Sequence, residues 1–246
     1  MSLPRVSIVI LAYLESNRAY FEACWSSVKN LNYPKELLDI VIVSPWLKEV
    51  SGAKVVRNYA RPDSFSGSTN TGIDHTDPDS KLILLLSDDT MIARESLMNM
   101  VLAADEADVV LAALSNCDNY WKYHLHLPYV YPERYYRLEH LNADMIKAMQ
   151  NASSMYPPGI IFTDTLCFYA FLIPRKTWDK VGELDEGYNM GFEDSDYCAR
   201  ARLKGVRLAI CMNAIIWHAG GASAEIITEG MREGNKKRFA EKWQDG

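Results

Sequence analysis

The segment Val6-Ser7-Ile8-Val9-Ile10-Leu11 is rich in β-branched residues and shows no polar–apolar alternation. A strand buried on both faces reads this way, and such strands belong to parallel sheets covered by helices. Leu38–Val43 and Leu82–Leu86 repeat the pattern, and Lys54–Arg57 is a shorter strand between them. Glu15–Leu31 carries Tyr20, Cys24, Val28 and Leu31 at helical spacing. Ser66–Asp74 is small and polar, a loop leading into a helix, and Arg94–Ala104 reads as a helix before the strand Val109–Ala112. Strands alternating with helices in short units predict an α/β fold with a largely parallel central sheet.

The pattern changes after Cys117. Tyr120, Trp121, Tyr123, Tyr129, Tyr131, Tyr135 and Tyr136 crowd into one stretch. A helix is expected over Glu133–Gln150, broken by Pro157-Pro158-Gly159. Leu166–Ile173, Val206–Ile210 and Ala214–Trp217 read as strands, Glu193–Lys204 as a helix with an acidic start, and Ala224–Trp243 as a closing helix. A soft boundary therefore separates residues 1–116, of nucleotide-binding type, from a more irregular half, 117–246. The two halves are expected to share one sheet in a single domain.

The chain has 246 residues, long enough to bury a sizeable core without staples. With 26 Lys+Arg against 32 Asp+Glu the formal charge is −6, which argues against a sequence-independent nucleic-acid binder. The five cysteines are widely spaced with no CxxC pair, so reduced, buried thiols are expected rather than a disulfide framework or a cysteine zinc site. No apolar run reaches the roughly 18–20 residues of a membrane span. The N-terminus lacks a signal-peptide pattern, and the chain is expected in the cytoplasm. Lys236, Lys237, Arg238 and Lys242 offer either a solvated helix face or a contact with an anionic membrane surface.

Four groups can carry chemistry. Ser87-Asp88-Asp89 follows the strand Leu82–Leu86, and ligands of open α/β sheets sit outside the carboxyl ends of strands. Adjacent carboxylates there repel unless a cation or donors compensate, and Mg²⁺ or Mn²⁺ with substrate phosphates is the natural partner. The bland alternative is an Asp cap on a helix Met91–Met100. Gly191-Phe192-Glu193-Asp194-Ser195-Asp196 sets three acids at a helix start. The dipole favours them there, and one can take a proton from a substrate hydroxyl. Trp217-His218-Ala219-Gly220-Gly221 holds either a structural histidine or a metal ligand. Ser66-Gly67-Ser68-Thr69-Asn70-Thr71-Gly72 can cradle a phosphate through backbone N–H groups, although it matches no P-loop or GxGxxG pattern. His124-Leu125-His126 is a fifth candidate, a metal pair or an ordinary loop.

In this order the groups resemble the GT-A fold nucleotide-sugar glycosyltransferases of family 2, especially the rhamnosyltransferase-like, inverting members. Val6–Leu11 with Ala12-Tyr13 resembles the family's first strand, and Asn70-Thr71-Gly72 its N-x-G. Leu84–Thr90 resembles the strand ending in a D-x-D-type motif, Val181-Gly182-Glu183-Leu184-Asp185-Glu186 its V-G-G-F-D-E, and Glu193–Arg200 its E-D-x-D-L-x-x-R. His218 falls where members carry a metal-ligating histidine. The resemblance spans residues 4–223. There are two departures. Ser87 replaces the first acid of the D-x-D pattern, leaving Asp88 for the sugar or ribose. Ser44 replaces the Asp that ends the family's second strand and contacts uracil.

The resemblance implies a Rossmann-like sheet and a metal-dependent, inverting hexosyl transfer from a nucleotide-diphosphate sugar, UDP or dTDP favoured, to a saccharide or lipid-linked saccharide hydroxyl. It implies a place in polysaccharide or glycoconjugate synthesis. Asp89 and His218 would hold Mn²⁺ or Mg²⁺. Ala12, Tyr13, Ser44, Asn70 and Asp88 would meet the donor, and the aromatic stretch the acceptor. Asp194, with Glu193 beside it, would take the acceptor proton. The rivals are a sugar-nucleotide nucleotidyltransferase, for which Leu11–Arg18 lacks a Gly-rich, Arg-containing loop, and a non-catalytic carbohydrate- or nucleotide-binding module.

Overall fold

The computed structural model describes residues 2–114, 138–140, 143–155, 158–219 and 228–244. In chain order its strands are β1 Val6–Leu11, β2 Leu38–Val43, β3 Lys54–Val56, β4 Leu82–Ser87, β5 Thr90–Ile92, β6 Val109–Leu114, β7 Ile160–Thr163, β8 Ala170–Pro174 and β9 Leu208–His218. Its helices are α1 Arg18–Lys29, α2 Phe65–Asp74, α3 Ser96–Ala103, α4 Ala143–Gln150, α5 Arg175–Val181, α6 Glu193–Leu203 and α7 Glu229–Trp243.

All strands join one sheet, ordered β3-β2-β1-β4-β8-β6-β9-β5, with β7 also paired to β9. The segment β3-β2-β1-β4 is parallel, as the double-sided apolar runs require. Every residue of β1 is buried. Leu11 stands opposite Val43 on one side and Ser87 on the other, so the carboxyl ends of β1, β2 and β4 lie level along one edge. β8 is antiparallel to both β4 and β6, and β5 and β7 are antiparallel to β9, while β6 and β9 run parallel.

Several local expectations change. The buried face of α1 is Phe21, Cys24, Ser27 and Val28, and Tyr20 lies on its flank. Residues 66–74 are helix throughout, capped by the Ser64 hydroxyl, which accepts from the Gly67 N–H at 3.1 Å. The segment is thus helix rather than loop, and its small residues serve packing. A Cβ on Gly72 would stand 2.4 Å from a Val9 methyl and 2.9 Å from a Val43 methyl. The two strands expected near residues 206–217 are one strand, interrupted where the register on β6 slips between Ala112/Cys211 and Ala113/Ile215. The inserted Met212-Asn213-Ala214 forms that bulge. Leu166–Cys167 are irregular and Phe168-Tyr169 form a turn before β8, and β5, β7 and α5 were too short to leave a periodic signal. Tyr120–Tyr136, His124, His126 and Cys117 lie outside the described residues. Cys24, Cys198 and Cys211 are free and buried.

Candidate active site

The level strand ends place Ala12-Tyr13 after β1, Ser44 after β2 and Asp88-Asp89 after β4. Only Asp88 and Asp89 separate β4 from β5. This removes the helix-cap explanation, since Thr90–Ile92 is a strand and α3 begins at Ser96. β5 pairs with β9 so that Thr90 faces His218, and the Ala219 N–H donates to the Asp89 carbonyl at 2.9 Å. That register sets His218 Nε2 3.2 Å from Asp89 Oδ1. Tyr169 stacks on the His218 ring, centroids 5.0 Å apart.

Asp88 and Asp89 are 4% and 6% exposed. The Tyr13 backbone N–H supports the Asp88 carboxylate, yet Asp88 Oδ2 is buried with no hydrogen-bond partner. Burial, reinforced by Asp89, pushes the Asp88 pKa up to about 8. An orphaned buried oxygen beside a carboxylate–imidazole pair is the environment a cation relieves. Oxygen and imidazole donors suit Mn²⁺, and a divalent ion held mainly by substrate phosphates needs only one or two protein ligands. Among the described residues no three His, Cys, Asp or Glu side chains converge on one point. The Asp89–His218 pair therefore fits an ion shared with a ligand rather than an all-protein cage.

The second acidic group lies where α6 begins. Met190 (φ 58°), Gly191 (φ 115°) and Phe192 (φ 72°) are all left-handed. Two of them carry side chains, and such backbone costs about 1–3 kcal/mol per residue. The turn leaves Glu193 buried, its carboxylate accepting from the Gly191 N–H. Burial and the neighbouring Asp194 raise the Glu193 pKa to about 7. Asp194 is half-buried as a residue, with its carboxyl group enclosed. Its Oδ1 accepts from the Ser195 N–H at 2.7 Å, and the Phe168 N–H also supports it. Burial raises its pKa as well. Phe168 and Tyr169 thus join the two groups, since one supports Asp194 and the other stacks on His218.

Asp196, the third acid, is fully buried. It accepts from Arg200 Nε at 2.9 Å, Lys242 Nζ at 2.7 Å and Trp243 Nε1 at 3.1 Å. Asp185 is gripped by Arg238 and Lys242, so two of the five basic residues of the closing helix bond to the body of the protein. No described helix is long and apolar enough to cross one.

Two expected donor contacts have structural duties. Ser44 is fully buried, and its oxygen accepts from the N–H groups of Trp46 and Leu47 at 3.3 and 3.1 Å. Asn70 donates to the Leu184 carbonyl and Glu186 and accepts from the Leu184 N–H, latching α2 to residues 184–186. Arg61 reinforces that latch by bonding Asp74, Glu183 and Glu186. The Tyr13 hydroxyl donates to the Asp63 carbonyl.

The family model described as glycosyltransferase like family 2 matches residues 4–235. No curated protein matches the chain. Among solved structures, S. aureus TarS 1–349 is similar at TM-score 0.59 and 14% identity, over 87% of this chain and 60% of its own. GalNAc-T7, crystallised with UDP, GalNAc and Mn²⁺, is similar at TM-score 0.63 and 14% identity, over 88% and 44%. The mannosyltransferase PcManGT from Pyrobaculum calidifontis, in complex with GDP-Man and Mn²⁺, is similar at TM-score 0.60 and 16% identity, over 100% and 66%. The chain thus spans from under half to about two thirds of these chains' lengths, and the likeness is one of fold, the GT-A arrangement. With the family model covering nearly its whole length, the chain belongs to the glycosyltransferase-like family 2 of enzymes.

Proposed function

We propose that the protein transfers a hexosyl group, with inversion, from a nucleotide-diphosphate sugar to a hydroxyl of a saccharide or lipid-linked saccharide. The reading rests on the buried Asp88–Asp89 pair at the level strand ends, with His218 3.2 Å from Asp89 and Asp88 Oδ2 unpartnered. Asp89 and His218 would hold Mn²⁺ or Mg²⁺, which supplies neutralisation of the leaving diphosphate. TarS complexed with UDP or UDP-GlcNAc, and the Mn²⁺ complexes of GalNAc-T7 and PcManGT, support that ligand class.

Asp88 would accept hydrogen bonds from the donor's hydroxyls, and Ala12 and Tyr13 would border the nucleoside. With Ser44 enclosed, no carboxylate ends β2 to select uracil, so the base is not read as it is in uridine-specific relatives. UDP and dTDP remain the preferred candidates, with GDP as a further one. Asp194, at the first turn of α6, would take the acceptor proton as that oxygen attacks the anomeric carbon. Glu193 beside it raises the basicity of the pair. The same proposal places the protein in polysaccharide or glycoconjugate synthesis, in the cytoplasm.

The test is nucleotide release from UDP-, dTDP- and GDP-hexoses with Mn²⁺ and short oligosaccharide acceptors, with and without excess chelator. Chelator-sensitive, acceptor-stimulated release is expected. Full activity in excess chelator would overturn the metal reading. Pyrophosphate formation from a sugar phosphate and a nucleoside triphosphate would move the protein to the nucleotidyltransferases.

A further inference from the structure

Helix α7 touches the acidic turn through one face. Asn235 is its buried residue, and Phe239, Lys242 and Trp243 follow at helical spacing on the same side. The Asn235 carboxamide pairs with the backbone of the turn. Its Oδ1 accepts from the Asn189 N–H at 3.1 Å, and its Nδ2 donates to the carbonyls of Asn189 at 3.0 Å and Met190 at 3.3 Å. One helical turn later the Phe239 ring packs on Phe192 at 5.4 Å. These contacts bracket the left-handed run 190–192. Beyond it, Lys242 and Trp243 close on Asp196 inside α6.

We propose that Asn235 is a positioning residue for acceptor activation, one that holds the 190–192 turn in the conformation that aims Asp194. The inference rests on the reading of Asp194 as the proton acceptor. A left-handed Met190 and Phe192 persist only where the surroundings over-determine them. Among the described residues, the Asn235 amide is the side chain from outside the turn that bonds the Asn189–Met190 backbone. The base need shift by only about 1 Å for rate to fall about 100-fold. The donor side, at Asp88, Asp89 and His218, is built on the sheet and does not depend on this contact.

Two readouts test it. Amide hydrogen exchange compares Asn235→Ala with the native protein. Steady-state nucleotide release, with whichever of UDP-, dTDP- or GDP-hexose and Mn²⁺ the native protein turns over, gives kcat and donor KM. Exchange at 189–194 is expected to rise at least about tenfold with β1 and β4 unchanged. kcat should fall about 10- to 100-fold with donor KM within about twofold. Met190→Gly in the Asn235→Ala background should recover most of the turnover, because glycine adopts positive φ without a clamp. Lys236→Ala, on the outer face, should behave as native. If Asn235→Ala fails to fold, Asn235→Asp replaces it. That variant keeps the size but sets a carboxylate against two carbonyls, and the same shifts are expected. Unchanged exchange at 189–194, a loss confined to KM, or no recovery with Met190→Gly overturns the proposal. If the native protein releases nucleotide from no donor, the transfer reading fails, and the exchange arm alone decides whether Asn235 holds the turn.

Discussion

Tyr169 lies on the His218 imidazole with the rings inclined by 22° and their centroids 5.0 Å apart. The Tyr169 carbonyl accepts from the Ser87 N–H at 3.0 Å. One residue therefore fixes the orientation of the histidine and its distance from the end of β4. Tyr169→Ala should weaken Mn²⁺-dependent nucleotide binding about 10- to 100-fold, as the loss of an orienting contact does. Tyr169→Phe should leave it unchanged, since the ring and the backbone carry the role. Calorimetric titration of UDP and GDP with Mn²⁺ measures both.

Asp89→Asn and His218→Ala should each abolish the chelator-sensitive part of nucleotide release, with a loss of about 100-fold or more. Their thermal midpoints should stay near native. Chelator-sensitive release that survives both substitutions would remove the pair from the metal site.

Asp194→Asn should lower turnover about 10²- to 10⁴-fold while donor affinity stays near native. Glu193 and Asp194 titrate as a pair, with Glu193 near 7 because of burial and its neighbour. The rate should therefore rise with pH through about 7 as the pair loses its proton, and Glu193→Gln should move that limb to lower pH. If Glu193→Gln is inactive while Asp194→Asn turns over normally, the roles are exchanged.

Asp185 gives a stability prediction. Burial works against its charge. Hydrogen bonds from Lys242, the Gly187 N–H and Arg238 prevail and hold its pKa at about 2, against an ordinary 3.8. A depressed carboxyl stabilises the fold fully above the unfolded pKa, and the contribution disappears as pH falls from about 4 to about 2. It amounts to about 2 kcal/mol at most, less for the exposure of Arg238. Urea titrations at pH 2, 3, 4 and 7 should show Asp185→Asn losing stability at pH 7 and flattening the acid limb.

Asn70→Ala should cost about 2–3 kcal/mol, because it leaves the buried Leu184 N–H and carbonyl without their partners. Gly72→Ala should cost about 1–3 kcal/mol by overpacking Val9 and Val43. Denaturant midpoints measure both. A native midpoint for Asn70→Ala would return Asn70 to the donor site.

The parallel half was legible because its strands are buried on both faces, and runs such as Val6–Leu11 carry that fact in composition alone. The acid pair and His218 were legible as motifs. Their meeting was implied by the family resemblance and not by periodicity, because it depends on β5, a three-residue strand. The internal bonds of Ser44 and Asn70 were not legible for a related reason. A polar residue at a strand end or inside a helix reads the same whether its partner is a ligand or a backbone group two or a hundred residues away. Asn235 carried no signal, since one asparagine on a highly charged helix announces nothing until its partners are placed.

The lateral bonding of β9 also sets an order of assembly. Ser96, at the start of α3, closes onto the Ile215 carbonyl 119 residues later in the chain, and β5 waits for the same strand before it has any partner in the sheet. β1, β2, β3 and β4 need only the first 87 residues to pair. Contacts between distant segments form slowly because loop closure precedes their reward. During synthesis the nucleotide-side scaffold can therefore stand complete while its acidic edge still lacks the histidine. The Asp89–His218 pair forms late and all at once, when β9 zips between β6 and β5.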